Sequence, residues 1–124
     1  MTKILIVDDS SFSRKIIDKI CVKNGYETEH AVNGIDCIEK YPEYKPDCIL
    51  LDLLMPKMNG QGVLKHIRLT DKTLPIIVLS ADIQSTTRDE CIAAGASLFI
   101  QKPPKEDKLI PAILSVLNQS KGAL

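Results

Sequence analysis

Five polar side chains stand where apolar runs stop. Asp8 and Asp9 follow Ile4–Val7, Asp52 follows Cys48–Leu51, Ser80 follows Ile76–Leu79, and Lys102 comes just after Leu98–Ile100. A lone aspartate at such a point reads as a turn or helix cap. The same kind of ending on four runs reads as a site. Three carboxylates gathered together repel one another unless a cation joins them. Oxygen donors with room left for water and phosphate suit Mg2+ better than Zn2+. The ammonium adds a second positive charge that can pair with a carboxylate or a phosphoryl oxygen.

Those residues can meet only if the runs lie side by side and end on the same edge. The runs are apolar nearly throughout, as strands buried on both faces are. A weaker, alternating fifth lies at Tyr26–Ala31. Helical spacing fills the intervals. Phe12, Ile16, Ile17, Ile20 and Cys21 follow one helix face, with Ser10 or Ser11 as cap and Asn24-Gly25 as stop. Further helices are expected from Gly34 to Tyr41, ended by Pro42, from Gly60 to Arg68, from Ser85 to Ala94, stopped by Gly95, and from Glu106 to Gln119. The last carries Leu109, Ile113, Val116 and Leu117 on one face, with Pro111 in its first turn or two. A second stripe there, Ile110 and Leu114, is either a broad core face or a surface for a partner or a dimer.

Five strand–helix units predict an α/β fold, an open doubly wound five-stranded parallel sheet with helices on both faces and right-handed crossovers. Ligands in such a sheet bind beyond the carboxyl ends of the strands, where Asp8, Asp9, Asp52, Ser80 and Lys102 fall. With no repeat or linker, the expectation is one domain, 1–124.

Sixteen basic and sixteen acidic residues cancel, which leaves no basic footprint for nucleic acid or a membrane surface. The first apolar run is four residues long and meets two aspartates, too short for a signal peptide or a membrane span, so a cytoplasmic location is expected. Cys21, Cys37, Cys48 and Cys91 form no CxxC pair, and His30 and His66 complete no zinc spacing. They are expected to be reduced thiols acting as small hydrophobes. Gly60-Gln61-Gly62 is not a glycine-rich turn directly after a strand, and no P-loop is present, which excludes the common nucleotide-binding folds.

The segments KILIVDDS (Lys3–Ser10), DCILLDLLMPKMNG (Asp47–Gly60), PIIVLSA (Pro75–Ala81) and FIQKPP (Phe99–Pro104) together resemble the receiver domain of two-component response regulators, over essentially the whole chain. The resemblance implies a flavodoxin-like strand order 2-1-3-4-5. It implies that Asp52 is the nucleophile and phosphorylation site, taking a phosphoryl group from a phosphohistidine of a sensor histidine kinase. Asp8, Asp9, Asp52 and the backbone carbonyl of Leu54 would hold Mg2+, Lys102 would contact the phosphoryl group, and the Ser80 hydroxyl would bond another of its oxygens. Ser80 and Phe99 would form the switch, the aromatic ring turning inward as the hydroxyl moves. The Lys102–Pro103 bond is expected to be cis. Leu54 and Asp82 occupy positions that tune dephosphorylation in the family: Leu54 offers no hydrogen bond to an attacking water, and Asp82 either helps or repels it according to geometry.

A haloacid dehalogenase-type phosphatase also uses a strand-end aspartate, but it needs a second aspartate two residues on, where this chain has Leu54. A degenerate receiver acting only as an unphosphorylated interaction module is the other alternative. Whether self-catalysed phosphorylation and dephosphorylation amount to an enzyme is left open. No effector domain follows the fifth helix in this sequence, so signalling is expected by protein contact. The partner would be a downstream target, as in chemotaxis-type regulators, a histidine phosphotransfer protein of a phosphorelay, or a second copy in a phosphorylation-dependent homodimer. A fragment of a longer hybrid kinase is the alternative on that point.

Overall fold

The computed structural model describes residues 1–82 and 84–122, with side chains as far as 119. The last two residues of the expected 1–124 unit lie outside the described residues. Strands and helices alternate throughout: β1 (Lys3–Val7), α1 (Ser11–Lys23), β2 (Glu27–Ala31), α2 (Gly34–Tyr44), β3 (Cys48–Asp52), α3 (Gly60–Arg68), β4 (Ile76–Ser80), α4 (Ser85–Ala93), β5 (Leu98–Gln101) and α5 (Glu106–Gly122). All four strand pairings are parallel, in the order β2-β1-β3-β4-β5. Chain direction across the sheet therefore reverses between β1 and β3, which opens a crevice at their carboxyl ends.

Alternation along the strands sorts the core into two layers. Leu5, Val7, Ile49, Leu51, Ile76 and Val78 pack with Cys37 of α2, Val63, Leu64 and Ile67 of α3, and Cys91 of α4. Ile4, Ile6, Cys48, Leu50, Ile77 and Leu79 pack with Ile17 and Cys21 of α1 and Leu109, Ile113 and Val116 of α5. The central strands β3 and β4 are buried along their whole length, whereas the edge strand β2 alternates and ends in the buried Ala31. All four cysteines are buried and free. No helix among the described residues is long and apolar enough to cross a membrane.

Three sequence expectations need correction. The α1 stripe is narrower than its spacing suggests: Ile17 and Cys21 are buried, but Phe12 is 73% and Ile16 37% exposed. Next, α2 runs through Pro42 to Tyr44. The missing N–H falls in the final turn and removes one helical bond, while Lys45 closes the helix in a left-handed conformation (φ 54°) with its N–H on the Tyr41 carbonyl. Finally, α5 continues past Gln119 to Gly122. Of its second stripe, Ile110 packs at the core margin and Leu114 is 49% exposed.

Candidate functional site

Strand register places the polar residues. Val7 lies opposite Leu51, Asp52 opposite Leu79, and Ser80 opposite Gln101, so the residues that end β1, β3, β4 and β5 share one edge. A one-residue slip would turn every side chain to the other face. The side-chain oxygens of Asp8, Asp9 and Asp52 lie within 4.8 Å of one another. Asp8 is 1% and Asp52 6% exposed, while Asp9 faces solvent. Lys102 reaches over both buried carboxylates, with Nζ 2.7 Å from Asp8 Oδ2 and 3.4 Å from Asp52 Oδ1.

One ammonium does not balance this cluster. Burial and then the charge of Asp8 push the Asp52 carboxyl up to about 6; Lys102 pulls it back and Asp9 adds to the rise. Burial alone would lower the Lys102 ammonium, but the hydrogen bond it donates to Asp8 and the charge of Asp52 outweigh it and hold it above its ordinary value. A buried carboxylate with incomplete compensation is unfavourable, so the site accommodates a further positive charge. Three carboxylate oxygens this close, with no thiolate or imidazole among them, are a hard-donor set that fits a small divalent cation.

The scaffold holds these groups at several points. Asp8 Oδ1 accepts from the Ser10 N–H (2.9 Å), and Arg14 donates to the Asp8 carbonyl (2.6 Å). Ser10 also caps α1, its hydroxyl accepting from the Ser13 N–H. After Asp52 the chain turns through Lys57 (φ 51°) and Met58 (φ 77°), both left-handed, a conformation non-glycine residues adopt at a cost. The Gly60 N–H then donates to the Leu53 carbonyl (2.9 Å), and Asn59 caps α3 through the Gly62 N–H (3.0 Å). A Cβ on Gly60 would sit 2.9 Å from the Asp52 carbonyl oxygen, so only glycine lets α3 start this close to the acidic strand. The Lys102–Pro103 bond is cis.

The remaining sequence-predicted residues are arranged more loosely. The Ser80 hydroxyl accepts from the Asp82 N–H (3.0 Å) rather than approaching a carboxylate. Asp82, whose role depended on geometry, turns toward α4: its carboxylate accepts from the Gln84 N–H (3.0 Å) and the Thr87 hydroxyl (2.8 Å), and these bonds lower its pKa. Leu54 is 69% exposed at the mouth of the site. Phe99 is half-buried on β5, beside Val78 and packed against one core layer. Sequence reasoning missed Arg14 and Thr87, because a bond to a backbone carbonyl or across a loop leaves no spacing signal. The glycine of D-x-x-M-P-x-x-x-G was visible, but not its steric reason.

This arrangement has close relatives. Residues 4–114 match the response regulator receiver domain family. The chain is 44% identical over 117 residues to the chemotaxis protein CheY of Bacillus subtilis (strain 168), covering 94% of this chain and 98% of that protein. It is 42% identical over 115 residues to CheY of Thermotoga maritima, covering 92% and 96%. A chain of the CheX–CheY–BeF3–Mg2+ complex from Borrelia burgdorferi superposes with a TM-score of 0.89 at 33% identity, covering 93% of this chain and 88% of that one. The same edge of the same sheet, built by a matching sequence, makes this chain a member of the response regulator receiver family, whose members work in two-component phosphorylation signalling.

Proposed function

We propose that Asp52 accepts a phosphoryl group from a phosphohistidine of a sensor histidine kinase in a Mg2+-dependent reaction, and that the phosphorylated chain signals by protein contact. The observation that carries this reading is the buried Asp52 carboxylate with Lys102 Nζ at 3.4 Å and two further carboxylates within 4.8 Å. An Asp52 oxygen attacks phosphorus in line. Its bond to phosphorus forms as the phosphorus–nitrogen bond breaks and the imidazole leaves. Lys102 neutralises charge on the transferring oxygens, and the Ser80 hydroxyl turns from the Asp82 N–H to donate to one of them. Asp8, Asp9, Asp52 and the Leu54 carbonyl would hold Mg2+, which supplies charge neutralisation and orientation when bound.

Leu54 gives an attacking water no acceptor, and Asp82 is occupied at α4, which supports slow self-hydrolysis. Withdrawal of Ser80 leaves Phe99 room to turn inward, a population shift that partners read if they prefer one state. Partners are a kinase and either a downstream target or a histidine phosphotransfer protein; the Borrelia relative's complex with CheX supports binding of a partner protein. Leu114 on α5 is the apolar residue on which a phosphorylation-dependent homodimer would rest. Four buried, free thiols fit a cytoplasmic location.

The test is intact mass after incubation with acetyl phosphate and Mg2+. One phosphoryl group should be gained, and lost with Asp52→Asn or EDTA. An unmodified chain that also ignores beryllofluoride with Mg2+ would replace this reading with that of an unphosphorylated interaction module.

A further inference from the structure

The strand carrying Ser80 continues into the helix that is least embedded in the core. Of the nine residues of α4, one, Cys91, is buried, and its N-cap residue Gln84 makes no side-chain capping bond. Asp82 takes over that duty. One of its carboxylate oxygens accepts from the Gln84 N–H at 3.0 Å, and the other accepts from the hydroxyl of Thr87, in the first turn of α4, at 2.8 Å. The backbone N–H of the same residue donates to the Ser80 hydroxyl oxygen at 3.0 Å. Three groups are therefore linked in series: Thr87 fixes the Asp82 carboxylate, the carboxylate fixes the residue's backbone, and the backbone fixes the Ser80 oxygen.

We propose that Thr87 is a positioning residue of the phosphoacceptor site: acting through Asp82, it keeps the Ser80 hydroxyl turned along the β4–α4 connection and so sets how readily that hydroxyl is released to a phosphoryl group on Asp52. The inference rests on the phosphoacceptor reading above and adds to it a residue on a different element. Accepting from the Asp82 N–H leaves the Ser80 O–H free to donate, but a rotation that carries the oxygen toward a phosphoryl group on Asp52 takes it away from that N–H, so the two rotamers compete. Anything that favours the first lowers affinity for the phosphorylated state, by as much as it stabilises the first over the second. The link also ties the hydroxyl to α4, a helix that shallow packing leaves free to follow when the bond is given up.

The probe is beryllofluoride, which with Mg2+ stands in for a phosphoryl group on a carboxylate; its affinity is measured by calorimetry. The neutral bond from the Asp82 N–H to the Ser80 hydroxyl, which loses its support in Thr87→Val, corresponds to about three- to tenfold in affinity, so this variant should bind up to about tenfold more tightly than wild type. Thr87→Ala removes the hydroxyl without a branched replacement and should behave alike, while Thr87→Ser restores the hydroxyl and should return affinity toward wild type. In a Ser80→Ala background no hydroxyl is left to hold, so the gain from Thr87→Val should disappear. If wild type binds the probe but Thr87→Val is unchanged or weaker, or keeps its gain in Ser80→Ala, the positioning role is overturned while the phosphoacceptor reading stands. If wild type does not bind at all, that reading falls and takes the positioning role with it.

Discussion

Helices α3 and α4 are each nine residues long, and each follows a strand that ends in a site residue. They are held in opposite ways. Four residues of α3 are buried, Gly60, Val63, Leu64 and Ile67, and its start is pressed against the backbone of Asp52. One residue of α4 is buried, and its start is tied to Ser80 through Asp82 and Thr87. The carboxylate end of the site is thus fixed by close packing, which resists small displacements. The hydroxyl end hangs on a few polar bonds, each of modest net strength. On the proposed function, a phosphoryl group needs the first to be rigid for positioning and the second to be movable for signalling.

The largest test of this contrast strains the rigid side electrostatically. The folded Asp52 carboxyl, raised from 3.8 to about 6, binds its proton more tightly than the unfolded chain does. Its stabilising effect is therefore full below the unfolded value and is lost as pH rises through about 6. In EDTA, Asp52→Asn should be more stable than wild type by about 3 kcal/mol near neutral pH, with the two converging near pH 4. Urea unfolding at both pH values decides it, and a gap independent of pH would remove the charge strain from the account. Mg2+ should relieve the same strain. At about a hundred times its dissociation constant it should raise wild-type stability by about 2.7 kcal/mol and help Asp52→Asn clearly less; equal stabilisation of both would place the ion elsewhere.

Sterics give a smaller effect. Gly60→Ala, with its Cβ 2.9 Å from the Asp52 carbonyl oxygen, should cost about 1–3 kcal/mol in thermal or urea unfolding. Thr86→Ala, on the exposed side of α4, should stay within about 0.5 kcal/mol. Similar costs for both would erase the contrast between the helices. The mildest readout needs no substitution. Native-state amide exchange should be faster in α4 than in α3, because a helix with one buried residue opens locally at lower free energy. Matching protection would show that α4 is anchored by more than the Asp82 link.

Much of this was legible beforehand for a physical reason. Central parallel strands must be apolar on both faces, so Ile4–Val7, Cys48–Leu51 and Ile76–Leu79 announce themselves, and the polar residue that ends each run falls at the crevice. The fifth run was visible too, although Leu98, Phe99 and Ile100 prove only half-buried on an edge strand. Phe12 proves exposed because spacing shows which side of a helix a residue occupies, not how far along the helix that side stays covered. Pro42 was misread because a proline in a final turn forfeits a single hydrogen bond, too little to stop a helix otherwise packed.

The sequence by itself determined the alternation of strands and helices, the identity of the polar residues that end the strands, and the kind of chemistry three carboxylates, a hydroxyl and an ammonium can do. These depend on residue type and on the periods of helix and strand, which are local. Only the tertiary structure decided that Lys102 spans Asp8 and Asp52, that the Asp82 carboxylate accepts from the start of α4, and that Thr87 is the residue whose hydroxyl it meets there. Those are contacts between atoms brought together by register and packing, and neither leaves a trace in the spacing of residues along the chain.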